Sequence, residues 1–145
     1  MKVNIKKLDV VSKIPTRGSA EAAGYDLYAG ITKENYIAPH TTVKIPTNIA
    51  MEIPKGYFGA IYARSGLATK KGLRPANCVG VIDSDYRGNI IVAIHNDTDE
   101  YMTIEPMERI AQIIIHPCLD IEFAEVDELN ETNRGANGFG STGTN

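Results

Sequence analysis

Residues 43–53, VKIPTNIAMEI, set Val43 and Ile45, then Ile49, Met51 and Ile53, two apart, with Lys44, Ala50 and Glu52 between them and Pro46, Thr47 and Asn48 separating the two runs. A period of two is that of an extended chain with one face turned inward, so this stretch predicts strands rather than a helix. Working outward, Val3 and Ile5 repeat the pattern near the start of the chain. Further short apolar or alternating runs follow at 57–62, 78–82, 89–95, 101–104, 110–115 and 121–126, most of them bounded by Gly, Pro, Asn or Asp. Many short strands at such spacing imply an all-β fold of the sandwich, jelly-roll or barrel kind. Only residues 65–72, SGLATKKG, look helical, with Ser65 placed to cap one or two turns and Gly72 to end them.

The 145 residues, 43% of them hydrophobic, suffice for one domain that buries roughly 70% of the surface of its unfolded chain. A formal charge of −3 and a pI near 5.6 argue against the basic face that duplex nucleic acid requires, so no nucleic-acid partner is expected. Cys78 and Cys118 lie far apart, and His116 alone stands near either, which gives neither zinc spacing nor a disulfide framework. The first ten residues, MKVNIKKLDV, interrupt their apolar positions with charge, unlike a signal peptide. The densest apolar run, at 110–115, is broken by Gln112 and is far shorter than the ~20 residues of a membrane span. A soluble, cytoplasmic protein with no membrane partner is expected. Residues 1–130 read as a single β domain. From 131 the chain becomes a Gly-rich C-terminal arm, which is either a frayed tail or a functional segment. Arg134, Phe139, Ser141 and Thr142 there supply a guanidinium fork, a stacking face and hydroxyls that a spacer does not need.

Four internal segments carry candidate chemistry. In 77–90, NCVGVIDSDYRGNI, a strand, a polar tip and a returning strand suggest a hairpin. Asp83 and Asp85 would share one face there if the backbone stays extended, although solvated turn acids explain them equally. In 62–67, YARSGL, the amides of Ser65, Gly66 and Leu67 open a helix and suit a phosphate, or else form a plain cap beside a surface arginine. Asp26, inside the strand-like AGYDLYA of 23–29, is either solvated or functional. Gln112, within ERIAQ of 108–112, has apolar neighbours and needs hydrogen-bond partners. His40, His95 and His116 are scattered without ligand spacing and are read as structural.

In identity and order, AGYDLYA, ARSGL, NCVGVIDSDYRG, ERIAQ and RGANGFGSTG resemble the five motifs of the homotrimeric dUTPases, from residue 23 to 143. Two departures stand out. Ala63 occupies a position where many members have proline, and Met107 with Glu108 precedes Arg109 where glycine and an acid are common. The resemblance implies a distorted, β-clip-like jelly roll that assembles as a homotrimer with sites between subunits. It also implies hydrolysis of dUTP to dUMP and pyrophosphate, which limits uracil in DNA and supplies dUMP for thymidylate synthesis. Asn77 and the backbone at Gly80 would read the uracil edge, and Tyr86 would pack on the deoxyribose. Arg64, Ser65, Gly66 and Gln112 would hold the triphosphate, with Mg²⁺ chelated mainly by phosphate oxygens and reached by Asp26 through water. Asp83 would be the general base for attack of water on the α-phosphorus. The arm would close the site, with Phe139 on the uracil, Arg134 on the γ-phosphate, and Gly140, Ser141 and Thr142 completing the cradle. Two other readings compete. A dCTP deaminase would share the architecture but release ammonia, and a regulatory module would bind nucleotide without turnover.

Overall fold

The alternating segments become antiparallel strands in the computed structural model, which describes residues 1–77 and 79–138. In chain order these are β1 (Asn4–Lys7), β2 (Thr16–Arg17), β3 (Tyr25–Tyr28), β4 (Asn35–Ile37), β5 (Thr42–Pro46) and β6 (Ile49–Glu52). There follow β7 (Tyr57–Tyr62), the helix α1 (Ser65–Lys71), β8 (Leu73–Pro75), β9 (Gly80–Ile82), β10 (Ile91–Asn96), β11 (Met102–Ile104) and β12 (Arg109–Pro117). The opening stretch supplies β5 and β6, with Ile45, Ile49, Met51 and Ile53 buried while Lys44 and Glu52 face solvent. Between the two strands Asn48 takes a left-handed φ of 55°, which asparagine tolerates better than most residues. Its amide donates to the carbonyls of Val11 and Gly30, so the chain turns there and changes sheets.

β6 pairs with β1, β5 with β10, β10 also with β8, and β11 with β4. The largest sheet runs β2-β3-β12-β7-β9, with β12 at its centre. These small sheets enclose one core in which Leu27, Ile37, Ile45, Leu73, Ile94 and Ile110 are all fully buried. Each such side chain contributes about 1.5–3 kcal/mol through loss of apolar surface. The result is an all-β, distorted jelly roll with one short helix among the described residues. No helix among the described residues is long and apolar enough to cross a membrane.

Three local expectations are corrected. Ser65 does not cap α1 but is its first residue. The cap is Arg64, still extended as it leaves β7, with no side-chain capping bond, since a guanidinium has no acceptor to offer the helix amides; it donates to Asp26 instead. Gly72 ends the helix as expected, at φ 63°. Residues 77–90 are not a hairpin, since β9 pairs with β7 whereas β10 pairs with β5 and β8. The connection over 83–90 is too long for a tight hairpin, and each strand reaches a better apolar partner elsewhere. Within it the Tyr86 N–H donates to the Asp83 carbonyl at 3.2 Å, so Asp83 and Asp85 sit in a turn and not on one face of an extended strand. Lastly, 121–126 forms no strand, and Ile121, Phe123 and Val126 are 63%, 90% and 57% exposed. Alternation alone makes no strand when the chain offers it no sheet edge to join.

The turn before β12 explains one departure from the family pattern. Glu108 N–H donates to the Glu105 carbonyl at 3.1 Å, with Pro106 and Met107 at the two corners. Met107 has φ 60°, the left-handed corner of a turn that favours glycine. Met107→Gly should therefore stabilise the fold by about 1 kcal/mol, the order of cost of a left-handed side-chain-bearing residue. Thermal denaturation would test this, and a lower midpoint would show that Met107 packing outweighs the strain.

Candidate active site

The sheet brings one group of the expected residues together. Gln112 on β12 lies opposite Asp26 on β3 and opposite Tyr62 on β7, so the strand register alone gathers them beside the start of α1. There a cleft of about 440 Å³ is lined by Asp26, Arg64, Ser65, Gly66, Arg109 and Gln112, with Lys71 and Glu108 at its side. Asp26 is only 7% exposed, which contradicts the solvated reading of that strand acid. It is paired, as a buried charge must be. Arg64 Nε donates to its Oδ1 at 2.7 Å, and Arg109 Nη1 approaches Oδ2 at 3.4 Å. Glu108 is held by Lys71 Nζ at 2.7 Å and by the Glu105 amide at 3.0 Å. Three cations thus face two carboxylates in the cleft, a surplus that favours an anion.

Gln112 is satisfied as its apolar setting required, with Nε2 donating to the Ala63 carbonyl at 2.9 Å. Its amide oxygen lies so close to Gly24 that a Cβ there would overlap it. Glycine is therefore needed at 24 for close approach, a constraint invisible until β3 and β12 are paired. Ser65 and Gly66 are exposed in the first turn of α1, where backbone N–H groups lack helical acceptors.

A second group gathers on the loops around β9. The Asn77 amide lies against Gly80, 3.1 Å from where a Cβ would stand. Asp83 is exposed and lines a separate, larger cavity of about 1080 Å³ with Phe58, Asp85, Arg87 and Cys118. Tyr86 donates to the Asn89 carbonyl at 3.0 Å and folds over its own loop, with its ring where a Cβ at 88 would stand.

Gly80 pairs with Ile61, close to the cleft, but Asp83 stands apart from it within one chain. Ile82 of β9 pairs with Gly59, which sets Asp83 near Phe58, whereas Arg64 follows the other end of β7. At ~3.3 Å per residue the six steps from Phe58 to Arg64 span roughly 20 Å. Of the arm, Arg134 donates through Nε to the Asn137 carbonyl at 2.9 Å within its own turn, apart from both groups. Phe139, Gly140, Ser141 and Thr142 lie outside the described residues. Arg109 and Lys71 were not assigned from the sequence. Arg109 could be read from the sequence only as an orienting or interface residue, because its partner Asp26 is 83 residues away.

A family profile described as dUTPase matches residues 11–143. The deoxyuridine 5'-triphosphate nucleotidohydrolase of Desulfitobacterium hafniense is 47% identical over 144 residues, covering 99% of this chain and 95% of that protein. The dUTPase of Staphylococcus bacteriophage 80alpha, solved with dUPNHPP, superposes with a TM-score of 0.89 at 30% identity, covering 99% of both chains. A mutant dUTPase of phage phi11 of S. aureus, solved to show the coordination of a structural Mg(II) ion, gives a TM-score of 0.79 at 25% identity, covering 88% of this chain and 98% of that one. With a family profile spanning almost all of its length and relatives of this identity, the chain belongs to the dUTPase family.

Proposed function

We propose that this chain hydrolyses dUTP to dUMP and pyrophosphate by metal-dependent attack of water on the α-phosphorus, in sites assembled between the subunits of a homotrimer. One observation carries this reading. A cationic cleft suited to polyphosphate and a loop bearing Asp83 stand roughly 20 Å apart on one chain by strand geometry, a spacing that supports a site completed by a second copy. Assembly is further supported by Leu119, Ile121, Phe123, Val126 and Leu129, all more than half exposed beyond β12. An apolar run of this kind marks a protein interface. The substrate is supported by the likeness to a dUTPase solved with dUPNHPP.

In this reading the free guanidinium nitrogens of Arg64, the amides of Ser65 and Gly66 and the remaining amide N–H of Gln112 hold phosphate oxygens. Asn77 and the backbone at Gly80 read the uracil edge, and Tyr86 packs on the sugar. Such a site leaves its polar groups unpaired with the wrong base. Asp83 takes the proton of the attacking water. The arm, residues 131–145, closes over the whole with Arg134, Phe139, Gly140, Ser141 and Thr142. No group of three or more His, Cys, Asp or Glu gathers among the described residues. Asp26, a carboxylate lining the cleft, fits a hydrated Mg²⁺ that the triphosphate would chelate and Asp26 would reach through water, since magnesium sheds water reluctantly. When bound, the ion would offset charge on the phosphates and on the leaving pyrophosphate. The product would serve thymidylate synthesis while uracil is kept from DNA, and we assign the chain to the cytoplasm.

The test is incubation with magnesium and each of dUTP, dTTP, dCTP and UTP, measuring pyrophosphate, nucleoside monophosphate and ammonia. Selective conversion of dUTP is expected. Ammonia from dCTP would instead make the chain a deaminase, and tight dUTP binding without turnover would make it a binding module.

A further inference from the structure

Arg109 and Gln112 are three residues apart on β12, and in a regular strand an odd separation puts side chains on opposite faces. Both nevertheless line the same cleft. The register with β3 shifts between Arg109 and Ala111, so Arg109 pairs with Tyr28 while Gln112 pairs with Asp26. This bulge sends Ile110 fully into the core and re-aims Arg109 at the cleft. It thereby gives Asp26 a second cation. The carboxylate, only 10% exposed, takes Arg64 on Oδ1 and Arg109 on Oδ2. Arg64 spends its Nε on this contact. Anchoring a planar guanidinium by its Nε fixes the plane in which its terminal nitrogens can fork onto a phosphate.

We propose that Arg109 is a positioning residue for phosphate recognition, which holds the second oxygen of Asp26 so that the first keeps Arg64 aligned on the polyphosphate. The inference rests on the dUTPase reading of the cleft. It gives Asp26 a role that does not depend on metal. Without Arg109, the Asp26 carboxylate is free to turn and Arg64 turns with it. Arg109, half exposed at the rim, keeps the cluster of two arginines and one aspartate net positive.

Inorganic pyrophosphate in EDTA is the probe, its binding measured by calorimetry to wild type, R109Q, R109K, D26N and D26N/R109Q, beside dUTP kinetics at saturating magnesium. R109Q should weaken metal-free pyrophosphate binding about tenfold and raise KM for dUTP more than it lowers kcat. R109K should recover part of the loss. In the D26N background R109Q should add less than about twofold, because the two residues act as one unit. An undiminished tenfold effect in that background would make Arg109 a direct phosphate ligand and overturn the proposal, as would no effect in wild type. Should R109Q misfold, the comparison of R109K with D26N/R109K replaces it with the same reading. A wild type that turns over dUTP while these contrasts fail would overturn this inference alone. A wild type that leaves dUTP intact would overturn the function, and the inference with it.

Discussion

Asp83→Asn is expected to lower kcat for dUTP about 10³-fold, inside the 10²–10⁴ range that a positioned general base contributes. The substitution keeps the size and hydrogen-bonding reach of the side chain but removes its ability to take a proton. Its cost to the fold should be under about 0.5 kcal/mol, as for other surface changes, because Asp83 is exposed and its turn is closed by a backbone bond from Tyr86. The measurement is steady-state kinetics beside the Kd for dUPNHPP, which should shift by less than about threefold, since in the proposed mechanism Asp83 would meet water and not the phosphates. A kcat within about tenfold of wild type would remove Asp83 from the role of base and leave Asp85, which lines the same cavity, as the acid to test.

Ending the chain at Asn133 is expected to reduce kcat about 10²-fold, the scale on which lost alignment slows an otherwise intact site. It should leave the melting midpoint nearly unchanged. The physical reason is the contrast between what the segment contributes to the core and what it carries. Residues 118–138 are exposed throughout, and the contact of Arg134 is confined to its own turn, so removal strips little buried surface. Yet the same segment brings an arginine, an aromatic ring and hydroxyls between glycines, groups that would align a triphosphate and exclude water in the proposed closure of the arm. Unchanged kcat and KM in the truncated chain would reduce the arm to a frayed end. A large fall in the melting midpoint would instead show that it belongs to the folded body.

Much of this was legible in the chain itself. The period of two in 43–53 predicted strands with one buried face, and Ile45, Ile49, Met51 and Ile53 are indeed in the core. The helix at α1 and its glycine stop were legible because Gly72 needs a conformation that few other residues adopt. The five motifs pointed to the family because side chains that meet a nucleotide leave their identities and order in the sequence whatever lies between them. Where local pattern failed, a partner distant in sequence had decided. Ser65 lost the cap to Arg64, which leaves β7 still extended, and the run at 121–126 found no edge to join.

The sequence by itself determined the all-β class, the helix at 65–71 and the family, since these depend on periodicity, on turn residues and on the identities of contacting groups. Only the tertiary structure decided which strands pair, that Asp26 is buried between Arg64 and Arg109, and that a bulge carries Arg109 onto the face of Gln112. It alone set the cleft and Asp83 at opposite ends of β7. Strand register and bulges arise from contacts between residues tens of positions apart, and no local stretch of sequence records them.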